Sequence, residues 1–213
     1  MKKQLIATFI LSAGTLFAVA QQNTGYYFKE FTSGKVMLKN KQFAKGLFNY
    51  NCINKEMHFL NGTTDMIVEN LADIDTVVVD THQFIPYEDH FMEVMYGQNS
   101  ILFIDWKMKP KDMGKKGAMG TTTHGSVQAI DINSRYQRVN GEQDLDPSVY
   151  KIETENTYYV FVKKKLKSFK NTKTFLGLYP KEKQQEIRKF MGKQKLEIED
   201  PKNILQILDT FPL

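Results

Sequence analysis

The chain has 213 residues, 41% of them hydrophobic and 12% aromatic, with only 6 prolines. That composition excludes a disordered or collagen-like chain and fits one compact domain. The formal net charge of +5 is a mild excess that does not imply strong polyanion binding.

Lys2 and Lys3 precede an apolar run from Leu5 to Val19 that ends in Ala18-Val19-Ala20, the small-x-small signature of a cleaved secretory signal peptide. The run falls short of the ~20 apolar residues a bilayer span needs, and no positive stop-transfer cluster follows it. Residues 1–20 therefore read as a signal peptide, cut between Ala20 and Gln21. A lipid anchor would need cysteine after the cut, where this chain has Gln21. The expected mature chain, 21–213, carries a net charge of +3 and no transmembrane span. It is long enough for a single core burying roughly 70% of the unfolded chain's surface. Export to a periplasmic or extracellular location argues against a nucleic-acid partner. Cys52 is the sole cysteine; no internal disulfide can form, and a small buried apolar role fits it best.

From Tyr26 to Trp106 short apolar or aromatic runs alternate with turn residues, the pattern of an antiparallel meander. The spacing predicts strands over Tyr26–Phe31, Lys35–Lys39, Phe43–Tyr50 and Glu56–Leu60. Turns are expected at Ser33-Gly34, Asn40-Lys41, Asn51–Asn54 and Asn61-Gly62. Met66–Val68, Thr76–Asp80, Gln83–Ile85, Phe91–Tyr96 and Ile101–Trp106 continue the series. Ile101-Leu102-Phe103-Ile104 is apolar on both faces and belongs inside the sheet.

Between about 108 and 125 glycines and lysines accumulate without large apolar residues other than methionine, which reads as a flexible loop. Strands resume at Ser126–Ile132, Val149–Glu153 and Thr157–Lys165, with Asn140–Pro147 as a further loop. In Thr157–Lys163, Tyr158, Val160 and Val162 share one face and Tyr159 and Phe161 the other, so the strand is expected to be buried until its lysines begin. A helical pair closes the chain near 180–211. Pro180 and Glu182 open the first helix, Ile187, Phe190 and Met191 form its stripe, and Gly192 ends it. Asp200-Pro201 caps the second, with Ile204, Leu205 and Leu208 on one side. The expected class is α+β: a strongly β-rich antiparallel meander sheet with two C-terminal amphipathic helices.

Lys115, Lys116, Gly117, Gly120 and Thr121 bring amides, cations and a hydroxyl together, as phosphate cradles do, but the spacing is not that of a nucleotide-binding P-loop. A mobile surface loop is the plainer reading. Lys163, Lys164 and Lys165 could attract anionic head groups or acidic glycans, against the plainer reading of a strand running out into solvent. His82 and His90 could join nearby acids only if the hairpin register paired them, and no metal-ligand signature appears. Neither a nucleophile elbow nor an activating neighbour for Cys52 is present. The sequence thus offers no catalytic residue, metal site or cofactor.

Gly34-Lys35-Val36-Met37-Leu38, Leu47-Phe48-Asn49-Tyr50-Asn51 and Glu56-Met57-His58-Phe59, followed by Ile74, Val77, Val79, Phe84 and Pro86, carry a resemblance. They are similar to a strand signature (GKV.L, NYN, EM.F) of uncharacterised secreted proteins from Gram-negative bacteria. It covers roughly Tyr27 to Gly120 and, more loosely, the final helical pair. No activity comes with that family, so the resemblance implies no catalytic residue.

Three functions compete. The leading expectation is an exported, non-enzymatic envelope protein that binds or scaffolds an envelope protein or glycan. The alternative is a carrier or sensor of an apolar small molecule held against a curved sheet, suited by the aromatics and 10 methionines. A hydrolase ranks third. A closed apolar cavity favours the carrier, and an exposed apolar patch favours a partner.

Overall fold

The computed structural model describes residues 25–112, 115–116, 122–123 and 150–213. The expected signal peptide, the strand at 126–132 and the loop at 140–147 lie outside the described residues. The fold is α+β and strand-rich. In chain order come β1 (Thr32–Leu38), β2 (Phe43–Asn51), β3 (Glu56–Asn61), β4 (Thr64–Ile67), a 3₁₀ turn at Leu71–Asp73, β5 (Ile74–Val79), β6 (His82–Tyr87), β7 (His90–Tyr96) and β8 (Ile101–Asp105). Then follow β9 (Met108–Asp112), β10 (Lys115–Lys116), β11 (Thr122–Thr123), β12 (Tyr150–Thr154), β13 (Thr157–Val162) and β14 (Lys165–Phe169). Helices α1 (Thr172–Leu176), α2 (Lys181–Gln194) and α3 (Pro201–Thr210) close the chain. Ten strands form one antiparallel sheet in the order β14-β13-β8-β7-β6-β5-β1-β2-β3-β4.

The sheet bends toward its inner face. The β2–β3 region reaches β7 and the end of β8: the Tyr50 hydroxyl donates to the Phe91 carbonyl at 3.0 Å, and the Met108 amide donates to the Cys52 carbonyl at 2.9 Å. Phe48, Tyr50, Met57, Val77, Val79, Phe84 and Phe91 fill this bend at 0–3% exposure. A second core lies under the helices, where Leu102 and Ile104 of β8, Tyr158 and Val160 of β13 and Phe169 of β14 meet Ile187, Ile204, Ile207 and Leu208. The apolar stripes of α2 and α3 therefore do what their spacing predicts. The Asp200 side chain caps α3 by accepting from the Lys202 amide at 2.9 Å.

Several expectations need correction. Tyr26–Phe31 makes a single bridge, Tyr26 to Asn51, rather than a strand. The Asn49 side chain replaces a ladder partner, accepting from the Phe28 amide and donating to the Phe28 carbonyl, both at 3.0 Å. Ser33-Gly34 is not a turn but part of β1, because Gly34 lets strands approach: a Cβ there would lie 2.5 Å from the Val78 carbonyl oxygen. The stretch read as a loop near 108–125 contains β9, paired with β12, and β10, paired with β11. An exposed two-stranded ribbon needs no apolar face; Lys111–Glu153 at 2.9 Å bridges β9 and β12.

Gly192 does not end α2. The helix runs to Gln194, where left-handed Lys195 (φ 54°) closes it, and the Leu196 amide reaches back to the Met191 carbonyl at 2.9 Å. The short α1 was not foreseen; Asn171 and Thr174 cap it reciprocally. Thr157–Lys165 is not one strand, since β13 turns at Lys163-Lys164 and β14 runs back beside it. Both lysines have positive φ, 48° and 66°, as a two-residue type I′ hairpin turn demands.

Candidate functional site

Of the residues singled out by sequence, Lys115 and Lys116 stand in β10 opposite Thr123 and Thr122 of β11, while Gly117, Gly120 and Thr121 lie outside the described residues. Lys163 and Lys164 form the β13–β14 turn and Lys165 opens β14; all three are exposed. Among the described residues no carboxylate lies within 4 Å of Lys163, Lys164, Lys165 or Lys167, whereas Lys55, Lys107 and Lys111 each have one.

The three described histidines all meet carboxylates, yet not one another. The β6–β7 register pairs Tyr87 with His90 and Gln83 with Val94, which puts His82 and His90 at opposite ends of the hairpin. Glu93, only 2% exposed, accepts from the Trp106 indole at 2.6 Å and the Tyr27 hydroxyl at 3.2 Å, with His82 Nδ1 at 2.5 Å from its other oxygen. This cluster pins the irregular Tyr27 segment onto the sheet. Burial, with Glu93 next in importance, pushes the Tyr27 phenol well above its usual range. His58 Nδ1 sits 2.8 Å from Asp65, and the Tyr26 hydroxyl donates to the same carboxylate at 2.9 Å. Asp105 takes Lys55 at 2.7 Å and faces His90 Nε2 at 3.5 Å. Cys52 is wholly buried, and its thiol is pushed up to about 12 by that burial, with Glu93 and Asp105 adding to it. Among the described residues no group of three metal-ligating side chains converges.

A surface the sequence reading missed lies on the outer face, opposite the helices. The register places Tyr96 of β7 opposite Ile101 of β8, and Phe161 of β13 opposite Leu166 of β14. The β8–β13 pairing, Tyr159 with Phe103, sets Phe161 next to Ile101 when continued by two residues. A row Leu166, Phe161, Ile101, Tyr96 thus crosses four adjacent strands, roughly 14 Å at the usual strand spacing. Phe161 is 53%, Ile101 42% and Tyr96 60% exposed. Behind the row Phe103 packs edge-on against Phe161 at 5.7 Å, and Tyr159 meets Tyr87 at 5.9 Å. The expectation that Thr157–Lys163 is buried on both faces thus holds only on the face under the helices.

The row ends where the β7–β8 and β13–β14 hairpins both turn, and α3 holds the first of these turns. The Asp209 carboxylate accepts from the Gln98 amide at 2.8 Å, the Asn99 amide at 2.9 Å and the Ser100 hydroxyl at 2.7 Å. Slight desolvation would raise its pKa, but those donors outweigh it and hold the carboxyl below the usual range. Gly97 leaves room for this cap, since a Cβ there would come within 2.7 Å of both Asp209 oxygens and push the carboxylate aside. Chemically the surface is a fixed, largely apolar strip bordered by ammonium groups that have no carboxylate partner among the described residues.

Comparison with known proteins gives no family: no family model matches the chain, and neither a curated protein nor a solved structure matches it.

Proposed function

We propose that the protein is an exported, non-catalytic binding module whose contact surface is the outer face of β14-β13-β8-β7. One observation carries this reading: the exposed row of Phe161, Ile101 and Tyr96 on adjacent strands, backed by further aromatic rings. Contiguous apolar surface of this kind marks interaction sites, and aromatic anchors are what interfaces concentrate. The chemistry elsewhere supports the same reading. The Cys52 thiol is buried and protonated at neutral pH, each described histidine is engaged by a carboxylate, and the hydroxyls beside His58 and His82 are those of Tyr26 and Tyr27, which burial keeps protonated.

A carrier role has less support, because the inner bend is filled by its own side chains. The surface depression of about 530 Å³ beside β1 and β2, lined by Val36, Leu38, Phe43 and Ala44, lies at a hairpin end instead. The test is a Tyr96→Ser/Phe161→Ser double variant followed through envelope fractionation. Its unfolding midpoint should stay close to that of the parent, while its retention in the envelope fraction falls. Equal retention would remove this face from consideration.

A further inference from the structure

Resting on that reading, we propose that the partner of this face is the surface of a bilayer containing anionic phospholipid. The row and the lysines of the β13–β14 turn form one amphipathic edge. Phe161 lies one residue before the last ladder pair of its hairpin, Val162 with Lys165, and Lys163 and Lys164 make the turn beyond. Tyr96 and Ile101 are the last pair before the neighbouring turn. With this face laid flat on the bilayer, the row enters the acyl boundary while the lysines of the turn, at its margin, reach the phosphate level.

Charge decides between this occupant and a second copy of the chain. Pairing two β14 edges antiparallel would continue the outer face across a dimer, but it would also set the Lys165 and Lys167 side chains of both copies together on the other face of the seam. None of these has a carboxylate partner among the described residues to relieve that repulsion. An anionic surface on the outer face instead meets the turn cations Lys163 and Lys164, while Lys165 and Lys167, opposite Val162 and Val160 on the helix side of the sheet, add only to the charge of the edge. A glycan is disfavoured by the row itself: Leu166, Phe161 and Ile101 are pure hydrocarbon, and the backbone amides of Gln98 and Asn99 and the hydroxyl of Ser100, which would supply directional hydrogen bonds, are taken by Asp209. The ordered turn also lowers the entropy cost of docking, since the strip is already aligned.

Vesicle co-sedimentation of the full chain tests this. Binding is expected to phosphatidylcholine vesicles that contain phosphatidylglycerol, to be much weaker to phosphatidylcholine alone, and to fall as salt rises. Lys163→Gln/Lys164→Gln should lower partitioning about 30-fold, at about 1 kcal/mol per lysine. Phe161→Ser should lower it about 10-fold or more without changing the salt slope. Equal binding to both vesicle types, no binding to either, or displacement by millimolar inorganic phosphate overturns the proposal, the last by making the lysines a small-anion site. Should the lysine variant fail to fold, the salt and lipid dependence of the parent chain decides alone. If vesicles fail but Tyr96→Ser/Phe161→Ser still abolishes envelope retention, the contact surface stands and its lipid assignment falls.

Discussion

The two faces of β8 and β13 carry similar side chains and meet different fates. On the inner face Leu102, Ile104, Tyr158 and Val160 are sealed by α2 and α3; on the outer face Ile101, Phe103, Tyr159 and Phe161 remain half-buried or exposed. Apolar content alone therefore does not tell a core strand from one with a bare side. What separates them here is where the C-terminal helices fall, and they cover one side only. The inner residues hold the domain together, and the outer ones are free to meet something else.

The largest expected effect breaks the covered side. Ile104 is fully buried between β7 and β13 beneath the helices, so Ile104→Ala should destabilise by about 2 to 5 kcal/mol, the transfer loss plus the cavity left behind. Denaturant unfolding with an unchanged slope would measure it.

Alkaline pH probes the inner side through its buried acids. Burial raises the Cys52 thiol from an ordinary value of 9.0 to about 12, and it raises the Tyr50 and Tyr27 phenols in the same direction. Above pH 9 the unfolded chain gives up the thiol proton and the folded chain keeps it. The unfolded state then binds fewer protons, so stability is complete below about 9 and falls as pH rises toward 12. The unfolding midpoint of Cys52→Ala, followed over the same range, should decline less steeply. Parallel curves would mean that Cys52 is not the titrating group.

How much of this was legible in the sequence follows from which residues act locally. Alternation located β2, β3, β5, β7, β8 and β13 to within a few residues, and the Asp200-Pro201 cap and the stripe of Ile204, Leu205 and Leu208 located α3, because those signals need no distant partner. Gly34 failed as a turn signal because its reason is a carbonyl in β5. β12 answers to the strand expected at Val149–Glu153, but its partner β9 was hidden because its stabilisation is backbone pairing and surface charge, which leave no apolar periodicity. The candidate face was half visible. Phe161 and Ile101 were noticed and assigned to burial, since nothing in their own segments reveals that α2 and α3 choose the other side. The turn at Lys163-Lys164 gave no glycine or asparagine to read.

That turn supplies a smaller effect on the bare side. Two lysines with positive φ are held in a conformation that side-chain sterics disfavour for residues other than glycine, asparagine and aspartate. Lys163→Asn/Lys164→Gly, the preferred type I′ pair, should therefore stabilise the hairpin, by about 0.5 to 1 kcal/mol once the added chain entropy of glycine is deducted. A raised thermal midpoint together with weaker vesicle binding would separate the geometry of the turn from the use of its charges. A lowered midpoint would show that the lysine stems pack on the sheet.

The smallest expected effect is the sharpest form of the comparison. Ile101 lies three residues before Ile104 on the same strand but on the outer face, paired with Tyr96 and 42% exposed. Ile101→Ala removes the same atoms as Ile104→Ala, yet much of what it removes already touches water, and no enclosed cavity is left. The change should stay within about 0.5 kcal/mol, as surface substitutions usually do, while a contact made through the row weakens. Two isoleucine truncations on one strand would then differ by at least about 1.5 kcal/mol in stability, with the order reversed in binding. A cost at Ile101 comparable to that at Ile104 would mean that the outer face is a core in its own right and that the row is not available to a partner.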